Sequence, residues 1–333
     1  MYSEIPYEFI IQGDIMLSLA IANGDYLYYP SVQGGVTWDT ERKSSPGVLK
    51  FNIVKSHLLK VEEGNAVLFR EDDKDIFFGF IFSRSETKDD LIQLTAYDQL
   101  RYLKNKDSYV YSNWSTGELI KKIARDFCMN VGEIANTGVK LSRTESDTEL
   151  FEMINKSLAE TTLKTGELFI LYDDFGKLCL KNKNLMLLNV LIDVNTAGDY
   201  SFTTSIDENT YNSIKLTCED QDSGKRSVHL KDDIENIKKW GVLQFSENVN
   251  NKNLMKERAE GLLKLYNTPK RTLQVKNCFG DSRVRAGTSV VVPLLDENGV
   301  ISPRFMMVES AKHTYANDEH FMDLSLRGGV ING

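Results

Sequence analysis

Four histidines, four cysteines and several adjacent carboxylates are the groups through which this chain could do chemistry, and their spacing decides which reactions are open to it. His57, His229, His313 and His320 stand in no HExxH run and in no other tight ligand spacing. His313 and His320 are expected to flank a hairpin turn beside Asp318 and Glu319, an arrangement of donors that permits a metal. A solvated hairpin end is the plainer reading, and no metal ligand is assigned. A cysteine nucleophile needs a histidine beside it and a third group to orient that histidine. Cys179 and Cys218 instead occupy alternating strand positions, Cys128 closes a helical stripe, and no CxxC pair occurs among these three and Cys278. All four read as buried thiols of a protein made in a reducing cytoplasm.

Adjacent carboxylates occur at Asp72-Asp73, Asp89-Asp90, Asp173-Asp174 and Asp232-Asp233. The first three fall in predicted hairpin turns, where aspartate serves the backbone. Glycosidase chemistry would need two carboxyls converging across a cleft. No GxxxxGK[ST] or GxGxxG run is present, and Gly34-Gly35 reads as a turn before a strand. No catalytic, cofactor-binding or metal-binding residue is therefore assigned, and no cofactor is expected.

Composition narrows the classes further. The 333 residues carry a formal charge of -8, which argues against a basic cleft that grips nucleic acid by its phosphates. The basic stretch from Lys252 to Lys270 is diluted by Glu257 and Glu260 and reads as a solvated helix face. Met1-Tyr-Ser-Glu-Ile-Pro6 does not read as a secretory leader, and the apolar run from Leu185 to Ile192, broken by Asn189, is far shorter than the roughly 20 residues a membrane helix needs. Hydrophobic residues at 41% suffice for a packed core, and the length predicts two or three units.

The elements that would position these residues follow from periodicity. From Gly47 to Asp98 the pattern alternates with period two: Leu49, Phe51 and Ile53 share one face, Lys50 and Asn52 the other. Ile76-Phe-Phe-Gly-Phe-Ile-Phe82 is apolar on both faces, so both must be covered. After Asp107 the period becomes helical. Ser115 and Glu118 form a capping box ahead of Leu119, Ile120, Ile123, Ala124 and Phe127. Ser146 and Glu149 are expected to open a second helix with the stripe Leu150, Ile154 and Leu158, closed by Gly166. A hairpin joins Leu168–Tyr172 to Lys177–Leu180. Strand alternation resumes at Ile214, Leu216 and Cys218. A last helix carries Met255, Ala259, Leu262 and Tyr266 and stops at Pro269, and the chain then reads as strands from Arg271 to Arg327.

The two strand-rich regions repeat one another. Gly64–Phe69 matches Gly287–Val292 at an offset of 223 residues. Ile76–Phe80 matches Met306–Ser310 and Asp89–Leu94 matches Glu319–Leu324, both at 230, so one seven-residue insertion in the Pro293–Pro303 loop reconciles all three. The expected fold is α+β, mainly β, with two similar small antiparallel β-barrels and an inserted α+β region. Residues 1–103 form the first barrel. Residues 104–208 together with 236–270 form the middle domain, and 209–235 with 271–330 form the second barrel.

In this order of elements, and in Gly64–Asp98, the Ala96-Tyr-Asp-Gln-Leu100 exit, the helix opening at Ser115 and the close at Leu326-Arg-Gly-Gly329, the chain resembles the XkdQ/YqbQ-like proteins of PBSX-type defective prophages. That family is related to the hub proteins of contractile phage tails and phage-tail-like bacteriocins. The resemblance implies tail-tube-like barrels and a structural protein of the baseplate, not an enzyme. It implies a homotrimer whose paired barrels imitate sixfold symmetry between a sixfold tail tube and a threefold central spike, and which nucleates tube assembly. Tail tube protein, central spike protein, baseplate wedge proteins and a LysM-type or tape-measure tail protein are the implied partners, with no specific nucleic-acid binding and no membrane insertion. Assembly would take place in the cytoplasm, and the finished particle would leave by lysis. Phe77, Phe78, Phe80, Ile81, Phe305 and Met307 are the candidates for the subunit or tube interface. A peptidoglycan-degrading tail hydrolase and a carbohydrate-binding receptor module are the rival functions.

Overall fold

Alternating apolar residues build strands from both ends of the chain, and a computed structural model describes residues 16–219, 225–295 and 301–328. The Met1–Pro6 reading and Gly329 lie outside the described residues. In the first half, β1 (Leu17–Asn23), β2 (Tyr26–Tyr28), β3 (Val32–Glu41), β4 (Val48–Val54), β5 (Ala66–Glu71), β6 (Lys74–Glu86) and β7 (Leu91–Tyr97) pair antiparallel in the order β3-β4-β7-β6-β5-β1-β2. Leu49, Phe51 and Ile53 stand opposite Ala96, Leu94 and Ile92, and all six share a core with Trp38, Val67, Phe69, Phe77 and Ile81. Asp72 and Asp73 take φ of 48° and 63° in the turn between β5 and β6, as the carboxylate pair predicts. Gly34 and Gly35, expected in a turn before a strand, sit instead at a bulge inside β3, with φ of 77° and 88°.

The middle unit contains β8 (Lys106–Trp114), α1 (Thr116–Asp126), β9 (Val131–Ile134), β10 (Leu141–Glu149), α2 (Leu150–Thr165), β11 (Phe169–Asp173) and β12 (Leu178–Asn182). The Ser115–Glu118 capping box forms, and Gly166 closes α2 in the left-handed conformation. The second predicted capping box does not form. Ser146 belongs to β10, which pairs with β8 as far as Glu149 opposite Lys106, so the sheet ladder takes the residues the helix would have used.

The second half departs from the expected partition. β13 (Leu187–Leu191) and β14 (Asp199–Ser205), placed in the middle domain from sequence, pair with the C-terminal strands. The Tyr211 strands, placed in the second barrel, form a separate unit: β15 (Ser213–Glu219), β16 (Arg226–Asp232), α3 (Ile234–Trp240), β17 (Gln244–Asn248) and α4 (Met255–Tyr266). Ile214, Leu216 and Cys218 spend their apolar face on Met255, Ala259 and Leu262 of α4, which explains the partnership. β14 is exposed from Asp199 to Thr204 and lacks the buried alternation that would reveal a barrel strand.

The last four strands are β18 (Lys270–Phe279), β19 (Ser289–Leu295), β20 (Ile301–Ala316) and β21 (Glu319–Gly328). With β13 and β14 they follow the order β14-β18-β21-β20-β19-β13, which matches β3-β4-β7-β6-β5-β1 strand for strand. β1 pairs antiparallel with β5 whereas β13 pairs parallel with β19, the one change of direction in the series. Leu273, Val275 and Cys278 oppose Leu326, Leu324 and Met322 in the second core, in the places held by Leu49, Phe51 and Ile53 opposite Ala96, Leu94 and Ile92 in the first.

Hydrogen bonds repeat as well. The Gly64 N–H donates to Ile81 O at 2.8 Å, and the Ile81 N–H to Asn65 O at 2.9 Å. Correspondingly, the Gly287 N–H donates to Val308 O and the Val308 N–H to Thr288 O, each at 2.8 Å. Both long strands then carry a bulge at the next residue, Phe82 in β6 and Glu309 in β20. These pairs fix the equivalence. Gly64 to Gly287 is a step of 223 and Ala96 to Leu326 a step of 230, as the sequence indicated, but Ile81 to Val308 is 227. The seven extra residues are thus divided between two hairpins: four between β19 and β20, where 296–300 lie outside the described residues, and three at the β20–β21 end. The fold is mainly β, with large antiparallel sheets, and the two halves are copies of one sheet module.

Candidate assembly interface

The two modules meet edge to edge. β3 of the first pairs antiparallel with β20 of the second, from Val36 opposite Tyr315 to Glu41 opposite Ser310, so their strands run on as one continuous sheet. Gly35 makes this approach possible: a Cβ there would lie 2.3 Å from the Tyr315 carbonyl oxygen.

Aromatic and imidazole rings fill the seam. Trp38 stacks on His313 with ring centres 4.8 Å apart, Phe69 meets Tyr315 edge-on at 5.1 Å, and Tyr315 stacks on His320 at 3.9 Å. His313 and His320 are fully buried, so the expected solvated hairpin end is corrected. The extended β20–β21 hairpin tucks both rings under the first module, where a chain of hydrogen bonds satisfies them. His313 Nε2 lies 2.7 Å from Val284 O, His313 Nδ1 lies 2.8 Å from His320 Nε2, and His320 Nδ1 lies 3.1 Å from Glu71 Oε1 of the first module.

A carbonyl can only accept, so His313 carries its hydrogen on Nε2 and its Nδ1 accepts from His320. Burial holds the His313 imidazole down to about 3, with the neighbouring His320 adding to the effect, so His313 is neutral. Burial alone would raise Glu71, but hydrogen bonds from His320 and Ser282 outweigh it and hold the carboxyl below its usual range. The two histidines are occupied by each other and by the protein, and no cluster of three or more metal-ligating side chains occurs among the described residues.

The rim of the seam is ionic. Arg42, the residue after β3, grips Glu309 at the β20 bulge through Nε at 2.8 Å and Nη2 at 3.0 Å, a bidentate pair with little solvent access. On the side of the middle unit, Arg285 lies over the Tyr172 ring at 4.6 Å and the Trp38 ring at 6.0 Å. Nearby, Asp98 accepts from the Gly47 N–H at 2.8 Å and the Leu100 N–H at 3.0 Å. Burial and then the neighbouring Asp173 push its carboxyl up, and burial pushes Asp173 up to about 6.

The six sequence-predicted interface residues are scattered by this packing. Phe77 and Ile81 are buried in the first core. Phe78 and Phe80 are half-buried against Phe175 and Tyr102 of the same chain. Met307 is buried with Ile170, Tyr172 and Met186, and Phe305 stays 39% exposed. On the second face of the doubly apolar strand, Phe78 and Phe80 are thus partly covered within the chain, by the Asp173–Gly176 hairpin loop and the turn at Tyr102, while Phe82 stays exposed. The sequence reading missed Trp38, Arg42, Glu71 and Arg285; only Trp38 left a signal, through its alternation with Val36. Cys179, Cys218 and Cys278 are buried as expected, and burial pushes the Cys278 thiol up to about 12. Cys128 is exposed, contrary to expectation, because the chain turns left-handed there as it leaves α1.

Residues 36–327 match the family model described as YqbQ-like. The chain belongs to the YqbQ-like family. It is similar to the uncharacterized protein YqbQ of Bacillus subtilis, with 33% identity over 89% of this chain and 92% of that one. It is likewise similar to the phage-like element PBSX protein XkdQ of the same organism, with 30% identity and the same coverage. Among solved structures, the 43 kDa tail protein of prophage MuSo2 from Shewanella oneidensis superposes with a TM-score of 0.67 at 12% identity, covering 93% of this YqbQ-like chain and 98% of the tail protein. The fold of this YqbQ-like chain is therefore that of a prophage tail protein.

Proposed function

We propose that this chain is a structural subunit of a contractile tail or tailocin baseplate: a homotrimeric hub that seats the sixfold tail tube on a threefold spike and nucleates tube assembly. The observation that carries the reading is the duplicated module. Three chains with two equivalent modules each present six near-equivalent surfaces to a sixfold partner while keeping threefold symmetry for another. Family membership and the shared prophage tail fold support the same reading. The buried polar groups that could have suggested catalysis, His313, His320 and Glu71, hold the modules together instead. The remaining implied contacts, with wedge proteins and with a LysM-type or tape-measure tail protein, belong to the same proposal.

Native mass spectrometry and analytical ultracentrifugation test it, on the purified chain alone and mixed with the tube protein of its own particle. A species of three chains that binds the tube protein is expected. A chain that stays monomeric and ignores the tube protein at tens of micromolar overturns the hub reading, and clear lysis of peptidoglycan by the isolated chain replaces it with the hydrolase.

A further inference from the structure

Duplication makes a prediction about the edges that the chain leaves open. Within the chain, the β3 edge of the first module pairs with the outer half of β20 in the second. Under the strand equivalence, β14 stands in the second module where β3 stands in the first, and the outer half of β6 stands where the outer half of β20 stands. Among the described residues, both of these equivalents are unpaired on the relevant side. β14 ends the sheet path, and Phe82 to Glu86 of β6 are exposed beyond the point where β5 leaves them. We infer that the β14 edge of one copy of this chain pairs antiparallel with the β6 edge of a second copy, repeating the internal seam between molecules. The inference rests on the hub reading for the number of copies, and on the internal repeat for the surfaces.

The register follows. Trp38 opposes Leu49 in the first module and Phe202 opposes Leu273 in the second, so Val36, Trp38 and Thr40 correspond to Tyr200, Phe202 and Thr204. Ser310, Lys312 and Thr314 correspond to Ser83, Ser85 and Thr87 across the bulge shared by the two long strands. The internal pairs Glu41–Ser310, Asp39–Lys312 and Thr37–Thr314 therefore become Ser205–Ser83, Thr203–Ser85 and Ser201–Thr87 between copies. All three are hydroxyl pairs, which favour one another across antiparallel strands. On the opposite face, Tyr200 and Phe202 stay 53% and 45% exposed where Val36 and Trp38 are buried, an aromatic pair on an edge strand that a neighbour would cover. Glu86, which would face Phe202, is already paired with Lys55 at 2.5 Å and with Arg84, so it does not enter the seam as a lone charge. Each copy offers one edge of each kind, a head-to-tail arrangement that closes into a ring.

Cysteine cross-linking tests the register. In the internal seam the Arg42 N–H donates to Glu309 O, which makes Asp39–Lys312 a non-hydrogen-bonded pair, and Thr203–Ser85 inherits that geometry. Such pairs bring Cα atoms to about 4.5 Å, within disulfide range. In a background in which the exposed Cys128 is replaced (Cys128→Asn), Ser85→Cys with Thr203→Cys should give disulfide-linked species of two and three chains on mild oxidation. Either single variant should give none. The diagonal pair Ser85→Cys with Ser201→Cys, two residues out of register, should cross-link at least about tenfold less.

Thr204→Pro gives an independent readout, since it removes an N–H that faces the open edge and spares the ladder to β18. It should leave the circular dichroism spectrum unchanged and dissociate the trimer. A trimer by native mass that fails to cross-link, or that cross-links equally out of register, overturns this interface and leaves the hub reading standing. A chain that neither trimerises nor binds its tube protein overturns both.

Discussion

His313 and His320 share one hydrogen bond of 2.8 Å inside the seam between two copies of a sheet module, and the outer nitrogen of each is answered from a different element: Val284 O for His313, Glu71 of the first module for His320. Removing His320 leaves the Glu71 carboxylate buried without its imidazole and opens a space beside Tyr315. His320→Ala should destabilise the protein by about 3 kcal/mol in urea unfolding, the usual loss when one partner of a buried pair is deleted. A cost below about 1 kcal/mol would mean that the chain of rings does not hold the modules together.

Stability should fall in acid partly through His313. Its folded-state value of about 3 lies below the ordinary 6.5, so between those limits the unfolded chain takes up a proton that the folded chain refuses. The contribution is fully present above pH 6.5 and is lost, at up to about 1.4 kcal/mol per pH unit, as the pH falls toward 3. His313→Gln should flatten this part of the profile, read as the difference in unfolding free energy between the parent and the variant at pH 7 and pH 4.5.

Glycine at position 35 should be irreplaceable. Gly35→Ala meets the Tyr315 carbonyl oxygen at 2.3 Å in a backbone conformation with φ of 88°. A loss of at least about 2 kcal/mol is expected, with protease cleavage appearing at the module boundary.

The Arg42–Glu309 clamp should prove specific to the guanidinium. Arg42→Ala is expected to cost about 2 kcal/mol, and Arg42→Lys to recover only part of it, because an ammonium cannot make both bonds at once. A double-mutant cycle with Glu309→Ala separates the pair from the packing of the arginine stem.

Phe78 and Phe305 are equivalent residues of the two modules in different surroundings. Phe78 packs on Phe175 and Phe80, whereas Phe305 is 39% exposed. Phe78→Ala should cost about 2 kcal/mol and Phe305→Ala less than about 1 kcal/mol in the isolated chain. Equal losses in thermal unfolding would remove the distinction.

What could be read before folding was the part that local physics controls. Period-two alternation located β4 to β7, and the Ser115–Glu118 box located α1, because side-chain direction and capping depend on near neighbours in sequence. The repeat was visible in its strands, but its middle match was misplaced by three residues, since apolar runs such as Ile76–Phe82 offer little to fix an alignment. β14 was missed for a plainer reason: a strand at an edge buries too little to leave a pattern. The seam itself was not legible. Glu71 and His320 are 249 positions apart, and only the meeting of the two modules brings that carboxylate to that imidazole.

The two hairpin extensions fall on one copy of the module, and the β20–β21 arm, lengthened by the second of them, is the one that supplies His313, Tyr315 and His320. The lengthened arm marks the flank that joins the two modules within the polypeptide, and its counterpart in the other module is shorter. The join inside the polypeptide is now set like mortar, and parting it would mean unfolding the chain. Any contact made through the shorter arm of the other copy, without those buried rings, would keep the character of a latch, able to close late and to open again.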